Sequence, residues 1–329
     1  MKTYNIGIIG TGYIAQTMAE ALAFVPQARL HAVGSRNSET AKDFAAKYNC
    51  LGYSSYEAVA ADPEVDIVYI STPHNLHCEN TLMCIAKGKH VLCEKPFAVN
   101  AMEVDLMINA ARAKGVFLME ALWTRFNPRI IAAKEVLDSK RLGKIKLLKG
   151  DFGLRIPAAE NSRHHNKSLI GGSVMDLGIY PLFLAQLLMG KPKTITATAG
   201  IGPTGVDTNC SVTLGYADDA LAVIYSSILA HTDCNASVYC ENGDLLFDKW
   251  VHLPEKVTIV PLNENPETLE VETIDNCYNY EVEEVIKCIE QGKTQSDLWS
   301  WDDSKLLIET LDEIRRQIGL EYEGHDNIN

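Results

Sequence analysis

The sequence predicts an α/β chain in two domains. The first is a doubly wound parallel sheet, and the second is an α+β domain on an open, mostly antiparallel sheet. Three observations carry that expectation. From Tyr4 to Met119 short apolar runs alternate with helical patterns, as in a parallel sheet covered on both faces. The first run leads directly into Gly10-Thr11-Gly12-Tyr13-Ile14-Ala15 and a helix. After Trp123 the pattern changes to long alternating strands with few helices between them. At 329 residues the chain exceeds one ordinary core, and the change of pattern divides it into 1–122 and 123–329.

Taken in order, Tyr4–Ile9 is the first strand. Ile14, Met18, Ala21, Leu22 and Val25 then recur at helical spacing. Leu30–Val33 is the second strand, and Ser38 is placed to cap a helix through Lys47 with Phe44 and Tyr48 on one face. Val65–Ser71 reads as a fully buried strand stopped at Thr72-Pro73, and the helix after it closes at Lys87-Gly88. His90–Cys93, a helix over Ala101–Ala113 and a strand over Val116–Met119 complete the first domain.

In the second domain a helix over Pro128–Leu137 precedes strands at Lys144–Leu154, Thr194–Ala199, Ser211–Gly215, Leu221–Ser227 and Ala236–Cys240. Tyr216–Asp219 and Glu241–Asp244 are hairpin turns, the second carrying Asn-Gly. Strands at Val257–Val260 and Leu269–Thr273, then helices at Val282–Gln291 and Asp302–Ile318, close the chain.

Composition narrows the function. With 47% hydrophobic and 22% charged residues the chain is ordinary for a globular protein. Its net charge of −13 is the wrong sign for a nucleic-acid surface, which needs clustered Lys and Arg. The nine cysteines form no C-x-x-C pair and several lie in apolar runs, so they read as small buried hydrophobes in a reducing compartment, with no metal site. No signal peptide and no apolar run of membrane-spanning length is present, so the expected location is the cytoplasm, with no membrane partner.

The glycine turn has the form G-x-G-x-x-A between a strand and a helix, the dinucleotide fingerprint of a Rossmann domain. Gly10 makes the turn, Gly12 lets backbone amides approach a pyrophosphate, and Ala15 permits close helix packing. Thr11, Tyr13 and Ile14 belong to the same cofactor-binding turn. NAD sites place a carboxylate about 20 residues beyond the glycines to accept from the ribose 2′-hydroxyl. Here the second strand ends in Gly34-Ser35-Arg36-Asn37, with no acid until Glu39. A carboxylate would repel a 2′-phosphate, whereas Ser35 and Arg36 would bind one, so NADP is expected over NAD. Ser71, Thr72, His74 and His77 end the strand that faces the same crevice. The histidines are expected to pack on the cofactor or cap the helix, with a catalytic base as the lesser reading.

Lys95, at the C-terminal end of its strand, puts a cation at that crevice, and Glu94 and Lys95 are both expected to contact the cofactor. Asp176 and Tyr180 stand four apart in an apolar helical stretch opened by Gly171-Gly172-Ser173, and so share a helix face. Hydride transfer from a carbinol carbon requires a group to take the hydroxyl proton. Tyrosine, with an ordinary pKa of about 10, is a weak base at neutral pH unless a cation within about 4–6 Å favours the phenolate. Lys95 is the candidate cation, and Asp176 the candidate orienting group.

Gly10–Ala15, the block Gly88-Lys89-His90-Val91-Leu92-Cys93-Glu94-Lys95-Pro96 and Asp176-Leu177-Gly178-Ile179-Tyr180 together resemble the glucose–fructose oxidoreductase / inositol dehydrogenase (Gfo/Idh/MocA) family, over nearly the whole chain. Met119–Phe126 and Gly34-Ser35-Arg36 are most similar to its dimeric dihydrodiol dehydrogenase / NADP-dependent D-xylose dehydrogenase branch. The resemblance implies that Lys95 and Tyr180 are the catalytic pair with Asp176 beside them. It also implies that Trp123 and Arg125 lie near cofactor or substrate, and that the open sheet forms a homodimer or higher oligomer. The inositol-type branch carries His at the position of Tyr180, and the family's Thr-Pro-Asn is Thr-Pro-His at His74, so the chain departs from both patterns.

The expected activity is NADP-dependent hydride transfer at a carbinol or carbonyl carbon of a sugar or polyol, of the D-xylose type. Oxidation of a trans-dihydrodiol is the alternative enzyme reading, with Phe152, Ile156 and Trp250 as apolar walls. A non-catalytic NADP-sensing protein is the alternative from another class, but it has no reason to carry both Lys95 and Tyr180. The loops Gly153–Ser168 and Asn276–Tyr280 are expected to line the pocket.

Overall fold

The computed structural model describes residues 2–158, 162–274 and 276–326, so part of the expected pocket loop Gly153–Ser168 lies outside the described residues. The chain forms two compact units, Met1–Phe126 with Ile274–Lys305 and Asn127–Thr273 with Leu306–Asn329. Each is discontinuous, because residues 274–305 return to the first unit.

The first unit alternates strand and helix: β1 (Tyr4–Ile9), α1 (Tyr13–Ala21), β2 (Ala28–Gly34), α2 (Ser38–Tyr48), β3 (Leu51–Tyr53), α3 (Tyr56–Ala61), β4 (Ile67–Ile70), α4 (His77–Ala86), β5 (His90–Glu94), α5 (Ala101–Lys114) and β6 (Leu118–Ala121). All six strands run parallel in the order β3-β2-β1-β4-β5-β6. The order reverses between β1 and β4, which puts the glycine turn after β1 beside the loop after β4, at a topological switch point. A later helix, Asn279–Glu290, belongs to the same unit. Its Val282 and Val285 meet Ile6, Met18, Ile67, Tyr69 and Leu92 around a small apolar cavity.

Local chemistry explains where the helices begin. Asn37, not Ser38, caps α2: its side-chain oxygen accepts from the amides of Glu39 and Thr40, which makes Ser38 the first helical residue. Asn100 caps α5 through the Glu103 amide, and Gly115 closes it in the left-handed region at φ 69°. The elements β3 and α3 escape periodicity analysis because they are short. Leu51 and Gly52 are exposed, and α3 is fixed by Ser55 Oγ accepting from the Ala58 amide.

The second unit holds α6 (Pro128–Asp138), β7 (Ile145–Gly153), a π-turn over Val174–Gly178, and α7 (Ile179–Met189). Strands β8 (Thr194–Ile201), β9 (Asp207–Gly215), β10 (Leu221–Ser227), β11 (Ala236–Cys240), β12 (Gly243–Phe247), β13 (Val257–Pro261) and β14 (Glu267–Thr268) follow. The sheet order is β14-β13-β12-β11-β7-β10-β9-β8, antiparallel except where β7 pairs with β10. Along β10 Ala222 and Ile224 are buried while Leu221 and Val223 are exposed, so one face of the sheet meets the core and the other does not. The segment 167–189 is apolar and long enough to cross a membrane by length and composition, but its most apolar stretch is 89% buried in the core of this unit.

Two further expectations need correction. The last strand is Glu267–Thr268, not Leu269–Thr273. Pairing with β13 ends at Thr268, and only the Leu269 amide still reaches Val257 O, at 2.9 Å. Asp176 and Tyr180 do not share one α-helix, because Asp176 sits in the π-turn and Tyr180 on the first turn of α7. Such π-bulges are rare and occur often at functional sites.

Candidate active site

The nucleotide end of the first unit is built on two glycines with different tasks. Gly10 has φ +110°, and a Cβ there would stand 2.8 Å from Ser71 O, so the turn requires glycine. A Cβ at Gly12 would meet no protein atom within 4 Å, which leaves open space above the start of α1. No side chain caps α1 at Gly12, unlike α2, α3 and α5. Open space and an uncapped helix N-terminus fit a dinucleotide pyrophosphate. Ser71 steadies the turn by donating from Oγ to Ile9 O at 3.0 Å, and Tyr13 is 81% exposed at its rim.

At the end of β2, Ser35 is buried and its hydroxyl lies 2.8 Å from that of Thr40. The Asn37 amide donates to Ser35 Oγ at 3.2 Å, and Thr11 Oγ1 lies 3.4 Å from Thr40 Oγ1. Three hydroxyls therefore gather beside the exposed Arg36. Sequence reading missed Thr40, although its place in the first turn of the helix after Ser35 was a usable signal.

The loop after β4 is braced by histidine. His77 is fully buried, with Nδ1 2.8 Å from Pro96 O and Nε2 3.0 Å from Thr72 O. It ties the Thr72 loop to the Lys95-Pro96 loop, and its edge meets His74 at 5.5 Å. This burial, with both ring nitrogens engaged by backbone carbonyls, makes His77 a brace between the two loops at the start of α4. Thr72 Oγ1 accepts from Asn80 at 3.1 Å.

Lys95 is half-buried at the end of β5, among buried carboxyl groups. Glu94 accepts from the Tyr69 hydroxyl in a short hydrogen bond and from the Lys95 amide at 3.1 Å. Glu120 accepts from the Phe97 amide, Trp299 Nε1 and Ser304 Oγ. Burial pushes its pKa up, opposed first by Trp299 and also by the charge of Lys95. Glu281 is fully buried with no hydrogen-bond partner for either oxygen among the described residues. Burial, and then the charge of Glu94, hold its pKa well above the usual range and favour its neutral form. Trp123 is buried and stacks on Tyr278 at 4.7 Å, and Arg125 donates through Nε to Leu298 O at 2.8 Å.

In the second unit the π-turn holds Asp176 at 3% exposure. Arg163 Nη2 donates to both of its oxygens at 3.1 Å, and His164 Nε2 lies 2.9 Å from Oδ2. Both partners come from the loop before the glycine turn and were not singled out from sequence. Tyr180 is buried against an aromatic group. Its ring centroid lies 5.0 Å from that of His252 and 5.6 Å from that of Phe152, and these two stack at 4.6 Å and 10°. Trp250 stands 6.1 Å from Phe152 and 5.9 Å from His252. Ile156, the third expected wall, is half-buried, and its carbonyl meets His165 Nε2 at 3.0 Å. His252 was missed because an isolated histidine after a loop carries no pattern.

Among the described residues no group of three or more His, Cys, Asp or Glu could hold a metal ion. All nine cysteines are free thiols, and burial pushes Cys78, Cys84, Cys210 and Cys288 up to about 12, away from nucleophilic use.

Residues 4–122 match the oxidoreductase family model with an NAD-binding Rossmann fold, and residues 130–246 match the GFO/IDH/MocA C-terminal domain. Trans-1,2-dihydrobenzene-1,2-diol dehydrogenase of Mus musculus is 35% identical over 96% of this chain and 97% of its own. The Danio rerio protein of the same name is 36% identical over 96% and 97%. Among solved structures, aldose-aldose oxidoreductase from Caulobacter crescentus superposes with a TM-score of 0.87 at 25% identity, covering 96% of this chain and 97% of the other.

Proposed function

From the premise that the chain belongs to the Gfo/Idh/MocA oxidoreductase family and is a dehydrogenase acting on CH–OH groups, we propose that it is an NADP-dependent dehydrogenase of cyclic vicinal diols, with trans-dihydrodiols favoured. The observation that carries the substrate class is the surround of Tyr180. A flat apolar ring suits the Phe152, His252 and Trp250 faces, while Asp176, with its Arg163 and His164 partners, offers a polar group for hydroxyls. The dehydrogenase names of the full-length relatives support the same reading.

The residues then divide the work. Bound NADP supplies the hydride acceptor. Ser35, Thr40 and Arg36 hold the 2′-phosphate, and the amides after Gly10 hold the pyrophosphate. The Tyr180 phenol oxygen takes the carbinol proton as the hydride leaves carbon. Lys95 favours the phenolate and hydrogen-bonds the reacting oxygen, and Asp176 orients the second hydroxyl. A sugar or polyol, the D-xylose-type aldose included, is the second reading. It is supported by the likeness to the aldose-aldose oxidoreductase and by the hydrogen-bonding capacity around Asp176. Initial rates with NADP against trans-dihydrobenzenediol, D-xylose and myo-inositol test the proposal. A clear excess of kcat/KM for the dihydrodiol is expected, and a preference for the open-chain or fully hydroxylated sugars would transfer the assignment to the second reading.

A further inference from the structure

The glycine turn that opens the Asp176–Tyr180 segment is clamped from behind by a carboxyl group that the proposed mechanism does not use. Asp207, the first residue of β9, is fully buried. Its Oδ2 accepts from Ser173 Oγ at 2.7 Å and from the Val174 amide at 2.8 Å, the two donors at the start of the π-turn. Ser173 Oγ also lies 2.9 Å from Ser226 Oγ on β10. On the other side Oδ1 has no hydrogen-bond partner among the described residues and presses on Gly172. That residue has φ +130°, and a Cβ there would fall well inside contact distance of Oδ1. The Tyr322 hydroxyl donates to Gly171 O at 2.7 Å.

We infer that Asp207 is a positioning residue: through Ser173 and Val174 it fixes where the π-turn begins, and so where Asp176 and Tyr180 stand. The inference rests on the reading of Tyr180 as the proton-transfer group. A π-turn is a rare register set into α-helix, so contacts at its ends help to decide where it begins. Ser173 is the residue before the turn and Val174 its first member, so the two hydrogen bonds hold the end that decides the register.

The clamp is sensitive to pH. Burial pushes Asp207 up to about 6, against the hydrogen bonds from Ser173 and Val174 that favour its charged form. The titratable and charged groups around it are few. Cys210 on its own strand and Tyr322 from the C-terminal segment both have their pKa values pushed up, in part by Asp207. Arg315, Asp326 and Asp176 act on Tyr322 in turn. Since the folded pKa lies above the ordinary aspartate value, Asp207 contributes stability at low pH that is lost as pH rises through about 6. Its grip as a charged acceptor moves oppositely, strengthening as pH rises through the same value. Activity and stability therefore have opposite trends across this window.

The test is kcat and KM between pH 5 and 9, with thermal melts, for the unmodified chain, Asp207→Asn and Ser173→Ala. The unmodified chain is expected to lose kcat below about pH 6. Asp207→Asn should flatten that limb and lower kcat roughly 10- to 100-fold, with the NADP KM unchanged and the melting temperature at pH 8 equal or higher. Ser173→Ala removes a donor to the carboxylate and should move the limb up by about one pH unit. A limb that Ser173→Ala leaves in place, or an Asp207→Asn protein that is less stable at pH 8 in proportion to its lost activity, would overturn the inference. If the unmodified chain turns over neither dihydrodiol nor sugar, the function reading has failed. The clamp is then decided by the carboxyl carbon of Asp207 in NMR: a midpoint near 6 that rises in Ser173→Ala upholds it, and an ordinary aspartate midpoint refutes it.

Discussion

Arg163 donates through one nitrogen to both carboxylate oxygens of Asp176, at 3.1 Å each, and His164 closes the same carboxylate at 2.9 Å. Asp176 is nearly inaccessible while Arg163 is half-exposed, so an accessible cation holds a buried anion in place. Asp176→Asn keeps the shape and loses the charge, and is expected to reduce turnover without removing it. Arg163→Ala removes the guanidinium from Asp176 and leaves the His164 contact in place. It should raise substrate KM by about tenfold with a smaller change in kcat, since orientation rather than proton transfer is lost. A loss in kcat alone, with KM unmoved, would place Asp176 in the chemical step instead.

Cofactor choice rests on a cluster of hydroxyls as much as on one charge. Arg36→Ala is expected to raise the KM for NADP while leaving that for NAD nearly unchanged. Thr40→Val, which removes the hydroxyl 2.8 Å from Ser35, should do the same to a lesser degree. Each lost contact to the phosphate is worth roughly 1.5–3 kcal/mol, or about 10- to 100-fold. Equal efficiency of the unmodified chain with NAD and NADP would refute the assignment, and it is read from two saturation curves.

Glu281 makes a prediction about stability. Its folded pKa lies well above its unfolded value, so the neutral acid is the form that the fold tolerates. The contribution is complete below the unfolded pKa and is lost as pH rises through the folded one. Glu281→Gln keeps the shape and cannot ionise, so it should match the unmodified chain in acid, below the unfolded glutamate pKa of about 4.3, and melt progressively higher than it as pH rises to neutrality and beyond. Parallel melting temperatures from acid to neutral pH would show that Glu281 has a partner for its charge.

The exposed face of the second sheet predicts association. Leu221 and Val223 on β10 and Tyr239 on β11 are 42%, 36% and 36% exposed, and the two strands flank β7 in the same sheet. Apolar side chains in that setting are costly to leave in water. Light scattering is expected to return at least twice the 36.3 kDa chain mass, and Val223→Glu should shift it towards one chain. A single-chain mass for the unmodified protein would remove the argument.

The first unit was legible because its signals are local. A glycine turn after β1, apolar runs for β4 and β5, and helices closed by Gly88 and Gly115 each declare themselves within a few residues. The site of the second unit was legible at Asp176 and Tyr180 and at the aromatic walls Phe152 and Trp250. Arg163, His164 and His252 come from segments without periodicity, and only the folded chain brings them to those two residues. The π-turn was invisible for a related reason. Val174–Gly178 carries no sequence mark of a π-turn, and Asp207, which accepts from the residues where that turn begins, lies on a strand 31 residues beyond Asp176.

Proton transfer is the claim on which the enzymatic reading turns. Tyr180→Phe deletes one oxygen from a buried ring that packs on Phe152 and His252, so fold and NADP affinity should survive. Alcohol oxidation by the unmodified chain is expected to rise with pH as the phenol, assisted by Lys95, gives up its proton. Tyr180→Phe should abolish that limb. Lys95→Ala should keep NADP binding and lower kcat on the order of 10²–10⁴-fold, and it should move the limb towards the ordinary tyrosine value, because the cation that favours the phenolate is gone. The two variants separate the roles: one removes the limb and the other displaces it. If Tyr180→Phe instead keeps both the rate and the pH profile, the proton leaves by another group. His252, whose ring centroid lies 5.0 Å from that of Tyr180, is then the first candidate.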